Sequence, residues 1–178
     1  MTARSCIRFL VHSAVSATRF VAEWTLLSLS RRRTHDNWDV FLLGEAAEDE
    51  VSMECVRKAV SLIERLDPSL SMQVRMATRH ILVWNGSRIE YWGVTRTCVL
   101  SRDKLKRYSD ALTAAYIVHE GTHLRLHARG VRYWPQLRDR IERYCNREMI
   151  RFLMKLPRAE FPSTDALIAH LETLTIAD

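Results

Sequence analysis

Residues 109–130 place the strongest constraint on the fold. Ser109 can cap a helix with its hydroxyl. The run that follows, Ala111-Leu112-Thr113-Ala114-Ala115-Tyr116-Ile117-Val118, is apolar on nearly every side of that helix, so the helix should be central and buried. It runs directly into His119-Glu120-Gly121-Thr122-His123. Gly130 is the expected end, with Arg129 favourably placed at the helix C-terminus.

The flanking sequence predicts further helices and a small sheet. Glu45 to Leu66 repeats apolar residues at three and four positions through Val51, Cys55, Ala59, Leu62, Ile63 and Leu66, and Asp67-Pro68 stops it. Between Ser71 and Leu100 the period shortens and β-branched and aromatic residues accumulate. Arg79–Trp84 and Arg88–Trp92 flank the turn signal Asn85-Gly86-Ser87, and Arg96–Leu100 offers another strand. A mostly antiparallel sheet is therefore expected. Thr34 to Gly44 carries loop chemistry. A helix from Trp134-Pro135 to about Leu156 precedes the breaker Pro157, and Ser163 and Thr164 can cap a last helix to about Leu174.

With 178 residues, 47% of them hydrophobic and few glycines or prolines, the chain suits one helix-rich domain rather than a disordered segment. Its net charge of +6 is dispersed, the only tight basic run is Arg31–Arg33, and no nucleic-acid-binding motif accompanies it, so no nucleic-acid partner is expected. Cys6, Cys55, Cys98 and Cys145 lack CxxC spacing and read as free thiols in a reducing, cytoplasmic setting. Ile7 to Leu29 is apolar but broken by Arg8, His12, Arg19 and Glu23, which disfavours a membrane span. The expectation is an amphipathic helix packed on the domain, with an Arg19–Glu23 pair on one face. Peripheral membrane contact through this helix and Arg31–Arg33, or an export signal ending near Val15-Ser16-Ala17, are the alternatives.

The chemistry lies in HEGTH. Residues four apart share a helix face, so His119 and His123 can aim both imidazoles at one metal ion. Glu120, beside that face, can reach a metal-bound water without being a ligand. Catalytic zinc usually takes three protein ligands, so a third is required. His127 is about 12 Å along the helix from His119, too far to close the site. Glu142 follows His123 after eighteen residues, on the next helix, with Glu148 a rival. A donor for a developing oxyanion could come from Tyr133, Tyr144, Tyr91 or His80, with Tyr133 favoured by its place between the two helices. Arg96–Leu100 or Arg79–Trp84 could pair with a substrate backbone.

The spacing HExxH…E resembles the gluzincin zinc metallopeptidases, and Glu142-Arg143-Tyr144-Cys145-Asn146 is similar to the ExxA(N/D) continuation of the compact ImmA/IrrE-like members. Arg129 stands where the metzincin pattern asks for histidine. The resemblance spans roughly residues 109–157. Together with the helices and strands read above, it leads to an expected α+β fold whose small sheet packs on a zincin-like active-site helix; the chain itself divides into an N-terminal appendage, residues 1–33, and a domain of residues 34–178, which the resemblance makes a metallopeptidase. The resemblance implies that His119, His123 and Glu142 bind Zn2+, that Glu120 activates water, that Asn146 orients a histidine, and that the substrate is a peptide or protein. The alternative is a zinc-binding regulatory protein without peptidase activity.

Overall fold

The computed structural model describes residues 18–159, 161 and 164–176. The readings that involve Cys6, the export signal near Val15-Ser16-Ala17 and the Ser163 cap lie outside them.

The fold is α+β and helix-rich. A helix over residues 18–29 (α1) leads into β1 (Arg31–His35) and β2 (Trp38–Leu42). Next come α2 (Asp49–Leu66), α3 (Pro68–Ala77), β3 (His80–Trp84), β4 (Glu90–Trp92), β5 (Thr97–Ser101) and a single turn, α4 (Arg102–Leu105). Three longer helices complete the chain: α5 (Asp110–Ala128), α6 (Arg138–Leu153) and α7 (Thr164–Ile176).

The five strands lie in the order β1-β2-β3-β5-β4. The sheet is mixed rather than mostly antiparallel: β2, β3 and β5 run parallel, and β1 and β4 are antiparallel edges. Two long-range features cause the difference. β2 and β3 are joined through α2 and α3, and a helical crossover of this kind joins parallel strands. After the turn at Asn85–Ser87 the chain passes to the outer edge, and β5 returns between β3 and β4. The hairpin is therefore β4–β5, closed by a turn in which Arg96 has φ 56°.

Local chemistry explains two further departures. Thr34 to Gly44 is largely a hairpin, because Asp36 and Asn37 both adopt left-handed backbone (φ 45° and 67°), as a type I′ turn requires. Asp67-Pro68 ends α2 and also starts α3: Asp67 accepts a hydrogen bond from the Leu70 amide at 3.0 Å, and Pro68 occupies the first turn, where no amide hydrogen is missed.

Both sheet faces are covered, which accounts for the unbroken apolar runs of β3 and β5. Val40, Leu42, Ile81, Val83, Cys98 and Leu100 pack with α2, α5 and α6 in the main core. On the other face, Leu26 and Leu27 of α1 pack with Phe41, Leu82, Trp92 and Val99. Buried Glu23 fastens α1 there. It accepts from the Thr95 amide (3.1 Å) and hydroxyl (2.9 Å), and pairs with Arg19 at 2.8 Å. The division expected at residue 33 falls inside β1. Cys55, Cys98 and Cys145 are free, and no helix among the described residues is long and apolar enough to cross a membrane.

An ionic network joins β1, α2 and α4. Arg31 grips Asp49 with two hydrogen bonds (2.6 and 2.9 Å). Arg102, 1% exposed, reaches the Glu45 carbonyl at 3.0 Å and the Glu48 and Asp49 carboxylates at 3.4 Å. The hydrogen bond from Arg31, outweighing burial, holds the Asp49 carboxyl below its ordinary range. Because that pKa is depressed by folding, the stabilisation is complete above the unfolded-state value and is lost as pH falls through the folded one. Asp49→Asn, which leaves Arg102 short of a counter-charge, should destabilise by about 3 kcal/mol in urea unfolding at neutral pH, with the deficit shrinking in acid.

Candidate metal centre

The Ser109 hydroxyl accepts from the Leu112 amide at 3.2 Å and starts α5, which is buried along most of its nineteen residues. Gly121 lets α5 approach α3 closely, since a β-carbon there would lie 2.5 Å from Val74 Cγ1. At the other end the Gly130 amide donates to the His127 carbonyl (2.9 Å) and the Val131 amide to the Leu126 carbonyl (3.0 Å). This is a Schellman arrangement, and it needs the positive φ of Gly130 (81°). The chain turns back through residues 131–137, and α6 returns alongside α5.

That return brings Glu142 to the histidines. His119 Nε2 and His123 Nε2 are 3.2 Å apart, and Glu142 Oε2 is 3.4 Å from the first and 3.5 Å from the second. Among the described residues this is the one group of three such side chains that could hold a metal ion. Its dimensions permit a test. Four ligands set tetrahedrally at zinc–nitrogen or zinc–oxygen distances stand about 3.3–3.4 Å from one another, so the three donor atoms match one face of such a tetrahedron.

Glu148 is not part of the group. It accepts from Arg125 at 3.2 Å and Arg151 at 2.6 Å, tying α6 to the buried Arg125 of α5.

Tyr133, from the reversal, donates to Glu142 Oε1, the oxygen turned away from the histidines. Burial alone would raise the Glu142 carboxyl, but hydrogen bonds from His119, His123 and Tyr133 outweigh it and hold the group well below the carboxylate range. Burial and the bond to Glu142 push the Tyr133 phenol up. Glu120 is buried at 6% exposure, and that burial raises its carboxyl against the opposing influence of His119 and His123.

Tyr91 of β4 stacks on His123, with ring centres 4.7 Å apart and planes 9° from parallel. Tyr133 meets His123 edge-on at 5.7 Å and Tyr91 at 6.3 Å. The other candidate donors lie elsewhere. His80 is on the far face of the sheet, against Trp24 and Phe41, and Tyr144 is exposed. β3 and β5 are interior strands, so the free edge near the site is β4. His127 lies beside Gly93 in the β4–β5 turn rather than with His119 and His123. Asn146, one turn beyond Glu142, does not orient a histidine through the far ring nitrogen: Nδ1 of His119 and of His123 has no hydrogen-bond partner among the described residues.

The sequence offers Tyr91 only as a hydrogen-bond donor to a developing oxyanion. Its stacking role depends on strand order, which no local pattern reveals. Comparison of the chain with protein-family models, curated proteins and solved structures finds no match.

Because the Gly121 position is closed by stiff, buried Val74, Gly121→Ala should destabilise by about 1–2 kcal/mol through overpacking, despite alanine's better helix propensity. Thermal unfolding measures the loss, and Val74→Ala in the same chain should recover part of it.

Proposed function

We propose that the chain is a zinc-dependent hydrolase of gluzincin type acting on peptides. The observation that carries this reading is the triangle of His119 Nε2, His123 Nε2 and Glu142 Oε2, whose edges of 3.2, 3.4 and 3.5 Å suit three ligands of a four-coordinate ion. Zinc bound there would acidify and polarise a water at the open position.

The remaining roles fall to the chain's own residues. Glu120 follows His119 and is buried; its role is to take the proton of the attacking water and pass it to the leaving amine. Tyr133 holds Glu142 by one oxygen and leaves the other free to ligate. Tyr91 keeps the His123 ring in plane. The edge strand β4, which brings Tyr91, has a side that no strand pairs with among the described residues, on which an extended peptide can form main-chain hydrogen bonds.

Metal analysis of the purified chain should find about one zinc per molecule, a stoichiometry that follows from one three-ligand site. His119→Ala should abolish retention. Glu120→Gln should keep the metal while hydrolysis of a quenched fluorescent peptide library falls about 10²–10⁴-fold. Zinc retained by His119→Ala, or lost from Glu120→Gln, would sink the assignment.

Tyr133→Phe separates positioning from catalysis. Zinc affinity, read by competition with a chromophoric chelator, should weaken by about ten- to a hundredfold while the far-ultraviolet circular dichroism stays unchanged. Wild-type affinity in that variant would show that Tyr133 does not position Glu142.

A further inference from the structure

Much of the chain's excess positive charge stands beside the metal site. Residues 129–147 run from the C-cap of α5 through the reversal into α6. They hold six arginines, Arg129, Arg132, Arg138, Arg140, Arg143 and Arg147, against two acids, Asp139 and Glu142, an excess of four in a chain whose net charge is +6. Glu142 is already engaged by His119, His123 and Tyr133. Its charge is therefore not free to answer an arginine.

Two of these arginines are placed at the site by neighbours that belong to it. Arg132 directly precedes Tyr133, whose hydroxyl holds Glu142 and whose ring meets His123 edge-on. Arg138 stands four residues before Glu142 in α6, one turn away on the same helix face, and it lies close enough to the Tyr133 phenol to lower its pKa. A neutral phenol is no counter-charge, and a guanidinium has donors to spare. Both arginines are exposed, and neither forms an ion pair among the described residues. Arg125 and Arg151, by contrast, are taken up by Glu148. The reversal also leaves Val131, Trp134 and Leu137 exposed, and arginine beside exposed aromatic and apolar groups is the make-up of surfaces that bind polypeptides.

We infer that the peptide received at this site presents a carboxylate beside the scissile bond, either an Asp or Glu side chain or its own C-terminal carboxylate, which Arg132 and Arg138 bind. The inference rests on the peptide-hydrolase reading above and names the class of peptide. A guanidinium matches a carboxylate with paired donors, and a mouth with unanswered positive charge draws anionic partners in and disfavours basic ones. The one acid that β4 contributes, Glu90, accepts from the Trp92 indole on the sheet face opposite Tyr91. β4 also favours a peptide over a nucleic acid, because only a peptide main chain can hydrogen-bond along a strand edge.

The test is fluorescence-anisotropy binding of dye-labelled peptides of equal length to the full chain carrying Glu120→Gln, which removes turnover. One peptide is neutral and amidated, one amidated with internal Asp and Glu, one neutral with a free C-terminal carboxylate, and one basic. A carboxylate-bearing peptide should bind about tenfold more tightly than the neutral one, by a margin that narrows as salt is raised; whichever acidic peptide gains identifies the source of the carboxylate. Adding Arg132→Gln and Arg138→Gln should erase that margin with zinc content and thermal unfolding unchanged. Equal binding of neutral and acidic peptides, a margin that survives the double substitution, or displacement of the acidic peptide by a lower concentration of single-stranded oligonucleotide would each overturn the inference. Cleavage of the same peptides by the unsubstituted chain separates the two readings. Hydrolysis without charge preference sinks the inference and leaves the hydrolase, whereas charge-selective binding without zinc or hydrolysis sinks the hydrolase and leaves a carboxylate-binding surface.

Discussion

The burial of α5 sets the terms for the rest of the molecule. A helix apolar on nearly all sides must be surrounded, and α2, α3, α6 and the sheet enclose it. Polar groups on its buried turns are cut off from water, and several are answered from within the chain. The Thr122 hydroxyl donates to the Val118 carbonyl one turn back at 2.8 Å. Arg125 reaches Gln73 of α3 and Glu148 of α6. His119 and His123 meet Glu142 of α6. Docking α6 against α5 therefore satisfies buried charge and assembles the candidate site in the same step. Gly130 makes the docking geometrically feasible by reversing the chain immediately after the last turn of α5.

What could be read from the sequence follows the range of the interactions involved. The central helix, its Ser109 cap, its glycine end and the helix bearing Glu142 are all encoded within a few residues of where they act, and all were legible. Strand order was not. Asn85-Gly86-Ser87 is a genuine turn, but whether the next strand pairs with β3 or leaves room for β5 depends on contacts made after the chain has passed it. The β1–β2 hairpin looked like a loop because its turn residues, Asp36 and Asn37, dominate a short polar stretch, and the strands on either side are only five residues long.

The choice between Glu142 and Glu148 illustrates the same limit within the site. Both are glutamates on α6, and at six residues apart they lie on different faces of that helix. Nothing in their own neighbourhoods decides which one meets the histidines. Arg125 decides it. The cation is buried two residues beyond His123, it takes Glu148 as its partner, and Glu142 is the carboxylate that remains on the histidine side. A competition between two acids for Arg125, His119 and His123 can be settled only when all five side chains are placed.

The manner in which the histidines are held departs from what the ImmA/IrrE-like resemblance implied. Metal-ligating histidines usually donate the far ring nitrogen to a carboxylate or carbonyl, which sets the ring's rotation as well as its basicity. Here the far nitrogens of His119 and His123 have no such partner among the described residues, so rotation has to be limited by packing. His123 lies flat against Tyr91 and edge-on to Tyr133 and His119, a box that restricts the imidazole on three sides. Tyr91 comes from the edge strand and Tyr133 from the reversal after Gly130, so the orientation of one helical side chain depends on elements far apart in sequence. Aromatic walls fix a plane but do not raise ligand basicity. Glu142 completes the group, and hydrogen bonds from His119, His123 and Tyr133 hold its carboxyl well below the ordinary carboxylate range despite its burial.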